Sequence, residues 1–459
     1  MIYRFLHLSD IHFGQEKNGT LVKHNHVREA LAKDVKRVSE SRGAANRILV
    51  TGDAAYSATK SEYEDAGKWL DQLAMACGCK ETDVSVIPGN HDCDLQAISN
   101  QARMICAQLR TSRPDLAKAS LHNITQDGEA ASPFLPKLQE YKRFASSYGC
   151  DFHSAAKPIW IREFDFPGDV KLRFHGLTSV QISDRDDTRG NMILGNEQFT
   201  IAEEDNIINV VLVHHPLDWF LDEVEATRYI KNNCRVLMVG HEHKLAVEKT
   251  INAFNDKELL TIFAGATNPP SENDGYHYAY NWLEFSYEPD KDPNCFTVEV
   301  FPRFWNEEHV CFETDRKHTG AGESARQSVA CKNLRPAAAR PDEAIAATAV
   351  LANIEIDDGK PNYESESQTP LSEVTMITET ADFARLRYLF WQYLDWQQRI
   401  KVLVEVDALP QTASQPIPQT MERIALDKAS KSKEKLRALW EAVMPLVPTE
   451  KRSPNPFQS

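Results

Sequence analysis

Six short runs of aliphatic, largely β-branched residues, each stopped by a polar motif, most constrain what this chain can fold into. They fall at residues 2–8, 48–51, 84–87, 207–213, 235–239 and 259–263. Near-continuous apolar runs of this length suit strands covered on both faces. A helical pattern fills 24–42 between the first two runs, and another fills 60–76 before the third. This β-α-β-α-β opening predicts parallel strands joined by right-handed crossovers. Further strand patterns at 171–176, 280–286 and 296–301 follow with less helix between them. The expected fold class is α/β, a layered sandwich of two β-sheets flanked by helices.

The rest of the chain departs from that rhythm. Residues 94–150 carry helical patterns at 95–109 and 134–148 around a polar stretch with Pro114, Asn123 and Gly128. They read as a helical insertion after the third strand or as a crossover helix with a long loop. From 314 to 374 apolar periodicity vanishes and Ala, Ser, Glu and Pro dominate, which predicts a flexible linker. Amphipathic patterns resume at 382–394, 397–406, 421–429 and 433–443, giving a small all-α module over 375–459. Its apolar residues, including Phe390, Trp391 and Trp440, are candidates for a protein partner or self-association, or else for packing on the chain's own core. The first domain is expected over 1–313.

Charge and cysteine usage narrow the function classes. A formal net charge of −15 repels nucleic-acid backbones at long range but leaves room for a local basic groove. Nine cysteines without a framework read as reduced thiols, and Cys77-Gly78-Cys79 has no second pair at zinc-site spacing. No apolar run approaches the ~20 residues that cross a bilayer. The chain is expected to be soluble and cytoplasmic, with no membrane partner.

Five motifs fall at or just after strand C-terminal ends, where open α/β sheets place ligands. They are Asp10-Ile11-His12, Gly52-Asp53, Gly89-Asn90-His91-Asp92, His214-His215-Pro216 and Gly240-His241-Glu242-His243. Singly, each has an ordinary explanation as a turn or loop. Together they supply two Asp, one Asn and at least four His. Such a mixed nitrogen and oxygen set suits two divalent ions such as Mn²⁺, Fe²⁺ or Zn²⁺, and the missing cysteine disfavours a structural zinc site.

Leu8-Ser9-Asp10-Ile11-His12-Phe13-Gly14, Gly52-Asp53, Gly89-Asn90-His91-Asp92 and Gly240-His241-Glu242-His243 resemble the signature of calcineurin-like metallophosphoesterases. The resemblance covers about residues 1–310, with the motifs in family order. It implies that fold and two metal ions, Mn²⁺ being favoured. It also implies that Asp10, His12 and His243 hold the first ion, that Asn90, His214 and His241 hold the second, and that Asp53 bridges both. His91 would be the general acid for the leaving alkoxide, a role worth roughly 10²–10⁴-fold. The His-x-Pro pattern favours His214 over His215 as ligand. In the family's phosphatases an Asp three residues after the bridging Asp orients the catalytic His; here that position is Tyr56. The departure weakens a protein-phosphatase reading more than a phosphodiesterase one. Glu242 reads as a solvated spacer, and Asp92 and Asn268 as loop caps or supports of the ligands.

The expected function is hydrolysis of a phosphodiester in a nucleotide or nucleic acid. A nuclease, a phosphomonoesterase or protein phosphatase, and an adaptor working through its C-terminal module are the competing readings. That module resembles the effector-associated and death-like adaptor domains of bacterial conflict systems, which would make the phosphoesterase a partner-controlled effector in bacterial defence.

Overall fold

The computed structural model describes residues 1–16, 21–152, 156–252, 255–269, 277–335, 380–410 and 415–458. Strands run in chain order as β1 (Ile2–Leu8), β2 (Arg47–Val50), β3 (Val84–Val86), β4 (Ile159–Phe166), β5 (Val170–Leu177) and β6 (Ile207–Val213). They continue as β7 (Val236–Val239), β8 (Leu245–Ile251), β9 (Glu258–Ala264), β10 (Ala279–Tyr287), β11 (Cys295–Asn306), β12 (Cys311–Thr314) and β13 (Ala325–Ala330). One sheet has the order β12-β11-β10-β1-β2-β3 with β13 also paired to β11, and the other β4-β5-β6-β7-β9-β8. β1, β2 and β3 are mutually parallel, as are β5, β6, β7 and β9.

The two sheets face each other through aromatic residues. The Phe5 ring on β1 lies 5.3 Å from Phe164 and 5.1 Å from Phe174, both edge-on. Edge-on packing sets the positive ring rim against the negative face of its neighbour. Trp160 on β4 donates its indole N–H to the Val86 carbonyl on β3 at 2.9 Å. This bond fixes how far the ends of the parallel strands stand from the second sheet. The outer face of that sheet is covered by helix Glu223–Asn233 and residues around Phe199.

The crossover helices follow the sequence closely. Helix Lys60–Cys77 opens with a reciprocal Thr59/Glu62 capping box and closes on Gly78 at φ 75°, a conformation natural to glycine. In the insertion the second helix, Pro114–Gln126, runs through the stretch that looked merely polar. Its proline sits at the helix start, where a missing N–H costs nothing. This helix and Asn100–Thr111 pack on Ile182 and Ile193, with Arg110 bound to Asp184 and Asp187.

Two sequence expectations need correction. Residues 314–335 are not linker: helix Arg316–Thr319 and β13 occupy them, and β13 extends the first sheet. Positions 336–374 of the expected linker lie outside the described residues. Nor does the C-terminal module present Phe390, Trp391 and Trp440 to solvent. All three are buried, at 0%, 1% and 3% exposure, within the same core as β1 and β10. Helix Ala381–Tyr393 lies against helices Gln139–Ser147 and Lys60–Cys77. The Tyr388 hydroxyl donates to Asp71 at 2.5 Å, Lys451 reaches the same carboxylate at 2.9 Å, and Arg423 pairs with Asp151 at 3.0 Å. Among the described residues of the module, the large apolar side chains that stay exposed are Trp396, Met421 and Ile424. Among the described residues no helix is long and apolar enough to cross a membrane.

Candidate metal centre

The five motifs converge because the strands preceding them are parallel and end at one edge of the sandwich. Backbone hydrogen bonds tie their loops together. Asp10 N–H donates to Gly52 O at 3.1 Å, and Ile11 and His12 N–H donate to Asp53 O at 2.8 and 3.0 Å. Gly240 N–H donates to His214 O at 3.1 Å, joining the loops after β6 and β7. Space between loops is minimal. A Cβ on Gly52, itself at φ 100°, would sit 2.3 Å from the His214 ring, and one on Gly89 would sit 2.1 Å from the Asp53 carboxylate.

Five of the seven candidate ligands hold left-handed backbone: Asp10 (φ 53°), His12 (49°), Asp53 (56°), His241 (65°) and His243 (54°). Few non-glycine residues adopt this region, and Asp, Asn and His are enriched among those that do. Such strain persists only where surrounding contacts over-determine it, as the loop hydrogen bonds do here.

The donor atoms form one continuous cluster. Groups Asp10–His12–His243, Asp10–Asp53–His214, His12–Asp53–His91 and His214–His215–His241 each bring their ligand atoms within 4.8 Å of one another. Asp10, His12, Asp53 and His214 each belong to two groups. Asn90 joins through its side-chain oxygen, 3.2 Å from His214 Nε2. His12 Nε2 lies 3.2 Å from Asp53 and His243 Nε2 lies 3.1 Å from Asp10. All seven candidate ligands and His91 are thus brought together.

Second contacts set each imidazole's orientation. His214 Nδ1 bonds the Thr51 carbonyl at 2.7 Å and His12 Nδ1 the Asn268 carbonyl at 3.1 Å, leaving Nε2 of each to the centre. A carbonyl accepting from Nδ1–H is the usual support of a ligating imidazole. His215 Nδ1 is paired with Ser179 Oγ at 2.8 Å, and its ring packs 4.4 Å from His241. Trp219 closes over His241 edge-on at 4.3 Å. Glu242, expected as a free spacer, binds Arg189 at 2.6 Å.

The electrostatics call for positive charge. Burial opposes ionisation of Asp53, yet His214 and His12 hold its carboxyl well below the usual range, and His243 does the same for Asp10. Conversely, burial alone would lower His214, but the Asp53 charge pushes it up to about 9. His12 is likewise raised by Asp53 against burial, whereas burial and the nearby His214 push His241 down to about 3. Protons on His12 and His214 thus stand where the carboxylates would place metal cations, which compete with protons for the same nitrogens. Nitrogen and oxygen donors without sulfur, two anchoring carboxylates and this demand for positive charge fit a pair of divalent ions.

Asp92 is the hub beneath the centre. Its fully buried carboxylate accepts from Asp53 N–H at 2.8 Å, Gly89 N–H at 3.0 Å, Ala55 N–H at 3.1 Å and the Tyr63 hydroxyl at 2.9 Å. Burial, with the Asp53 charge adding to it, pushes its pKa up to about 6. Asp92→Asn would turn an amide N–H₂ toward several of these donors. The expected loss is about 2–3 kcal/mol of stability, read as a lower denaturant midpoint at unchanged slope.

His91 answers what the sequence left open. Its Nδ1 bonds the Tyr56 backbone carbonyl at 2.9 Å, and its ring stacks on the Tyr56 ring at 4.8 Å with planes 19° apart. Its backbone N–H donates to Asp53 at 2.8 Å. The orienter is therefore Tyr56 itself, acting through main chain and ring. A side-chain pattern gives no signal for a main-chain acceptor. Ser179 and Trp219 likewise had no motif to mark them.

The chain belongs to the calcineurin-like phosphoesterase family, whose model matches residues 3–245. The clustered His and Asp groups fit the dinuclear, metal-dependent phosphoester chemistry of that family. A model for the GTPase-associated adaptor domain matches residues 382–445. An uncharacterized metallophosphoesterase-like protein, YydB of Bacillus subtilis (strain 168), is 23% identical over 283 residues, covering 58% of this chain and 54% of that protein. The chain thus spans about half the length of the curated relative it matches. Similar solved structures include a 5'-nucleotidase precursor from Thermus thermophilus, at 12% identity and TM-score 0.33, covering 65% of this chain and 54% of that one. Purple acid phosphatase PPD1 from yellow lupin (Lupinus luteus) seeds has 9% identity and TM-score 0.34, covering 74% and 57%. Likenesses at that level carry nothing about substrate.

Proposed function

We propose that this phosphoesterase hydrolyses a phosphodiester of a nucleotide or nucleic acid, with His91 as general acid. The observation that carries this reading is the Tyr56 carbonyl bound to His91 Nδ1. With Nδ1 committed, Nε2 is the nitrogen that gives a proton to the leaving alkoxide. The neutral carbonyl takes the place of the carboxylate that orients the catalytic imidazole in the family's phosphatases, which favours a diester over a phosphoprotein.

In this reading Asp10, His12 and His243 would hold one ion and Asn90, His214 and His241 the other, with Asp53 serving both and Mn²⁺ the favoured metal. When bound, the pair lowers the pKa of a shared water toward neutrality and offsets charge on the phosphoryl oxygens. Asp53 spends one oxygen on His91 N–H and keeps the other toward His12 and His214, so bridge and acid move as one unit. The neutral Asn90 amide binds without cancelling positive charge that the substrate needs. Buried His215 and half-buried Trp219 pack against the His241 side of the centre.

A ratio of rates on bis(p-nitrophenyl) phosphate and p-nitrophenyl phosphate tests the reading; a monoester preference overturns it. His91→Ala should slow an alkyl-leaving diester about 10²–10⁴-fold and an activated aryl diester far less, because the aryl oxide leaves without a proton. Equal losses on both would assign His91 to substrate orientation instead. For the C-terminal module we put forward a protein partner, of the GTPase class that the matched domain's description names, in a cytoplasmic defence effector. Trp396, Met421 and Ile424 are the apolar side chains it offers.

A further inference from the structure

A groove of about 860 Å³ opens beside His243. Its walls are the start of β8, strand β12 and the short helix Arg316–Thr319, with His277 and Phe304 also lining it. On a chain of net charge −15, the groove gathers five basic residues, Arg37, Lys244, Arg303, Arg316 and Lys317, against two acids, Glu313 and Asp315.

The local pairings leave the groove's net charge positive. Arg303 grips the buried Asp34 with two nitrogens, each at 2.8 Å, and Arg37 binds the same carboxylate, so that trio keeps one net positive charge. Glu313 is taken by His309 at 2.6 Å and Asn306 at 3.0 Å, and Asp315 by His318 at 2.7 Å. Arg316 and Lys317 are exposed; Arg316 donates to the Ala321 carbonyl at 3.2 Å, and Lys317 has no ion pair among the described residues. The His277 and Phe304 rings, 6.1 Å apart with planes at 69°, add two aromatic rings to its wall.

We propose that this groove holds a single-stranded oligonucleotide whose phosphates on one side of the scissile bond rest on Arg316 and Lys317. The inference rests on the phosphodiesterase reading and adds to it that the substrate is single-stranded and a few nucleotides long. Exposed cations beside aromatic rings are the combination that single strands use, the cations tracking the backbone and the rings stacking bases. The volume lies within the range of ligand sites, roughly 300–1,000 Å³, which suits a few nucleotides rather than a duplex.

Binding is measured without turnover, by fluorescence anisotropy of a fluorescein-labelled hexathymidylate on the full chain in EDTA. Arg316→Ala/Lys317→Ala should weaken binding at least tenfold. The slope of log Kd against log salt should become shallower by roughly 1.4, about 0.7 for each phosphate no longer neutralised. Lys317→Glu, a single exposed change, should weaken binding in the same direction. With metal restored, the ratio of kcat/KM for the hexamer to that for bis(p-nitrophenyl) phosphate should fall about tenfold in the double variant. Wild-type protein that does not bind the hexamer, or variants with wild-type Kd and salt slope, overturn the proposal. So does displacement of the hexamer by a polyglutamate peptide at lower concentration than by unlabelled hexamer, which assigns the groove to an acidic protein. Failure of the metal-loaded wild type on bis(p-nitrophenyl) phosphate strikes the parent reading instead, and leaves the EDTA binding result standing.

Discussion

Asp53→Asn should abolish phosphoester hydrolysis, by at least about 10³-fold, while the fold survives. Asp53 is buried, accepts His91 N–H at 2.8 Å, and turns its other oxygen to His12 and His214 at 3.2 and 3.3 Å. The substitution removes the charge that three histidines share and leaves an amide in a space shaped for a carboxylate. The backbone at φ 56° is kept, because Asn is among the residues most tolerant of left-handed geometry. Elemental analysis after dialysis should find fewer than two ions per chain, and circular dichroism an unchanged spectrum. Two bound ions with normal turnover would remove Asp53 from the bridge.

Deleting the chain after residue 335 should cost the catalytic domain its solubility. The sequence alone favours the opposite outcome, a detachable module beyond a linker. The structure shows Leu386, Tyr388, Leu389, Phe390 and Trp391 fully buried in the core that also holds Tyr63, Phe144 and Tyr148. Burying one such side chain contributes about 1.5–3 kcal/mol, so five of them rival the roughly 5–15 kcal/mol that separates folded from unfolded protein. Truncation would also strand the buried Asp71, whose partners Tyr388 and Lys451 both lie in the module. Aggregation on sizing by light scattering is the expected result. A monodisperse truncated chain that retains full hydrolysis would show that the docked helices are dispensable.

Where sequence reading succeeded and where it fell short has a physical pattern. β6 is legible to the residue because both faces are buried and every position but Asn209 is apolar, and β1 because buried apolar residues dominate it. β8 and β13 were missed because edge strands with half-exposed, charged sequences such as Leu-Ala-Val-Glu-Lys-Thr-Ile leave no apolar run to read. The clustering of the candidate ligands was legible because their types and spacing are unusual in combination. What holds them was legible only in part: Asp92 and Asn268 stood out as possible supports, whereas Tyr56 and Thr51 act through main-chain carbonyls, which every residue possesses. The docking of the C-terminal helices stayed one of two open alternatives for a related reason: an amphipathic stripe says that a face is covered, and not by what.

The left-handed geometry of Asp10, His12, Asp53, His241 and His243 has a consequence for how such a centre can change. At those positions the loop conformation disfavours β-branched and bulky side chains and tolerates Gly, Asn, Asp and His, nearly the same short set that can offer oxygen or nitrogen to a metal. Loop shape and donor chemistry therefore select the same residues independently. Exchanges among Asp, Asn and His should alter charge and metal preference with little conformational cost, so the centre can be retuned in small steps. Replacement by Val or Ile would strain the main chain before any question of coordination arose, and a centre lost that way would take the loops' shape with it.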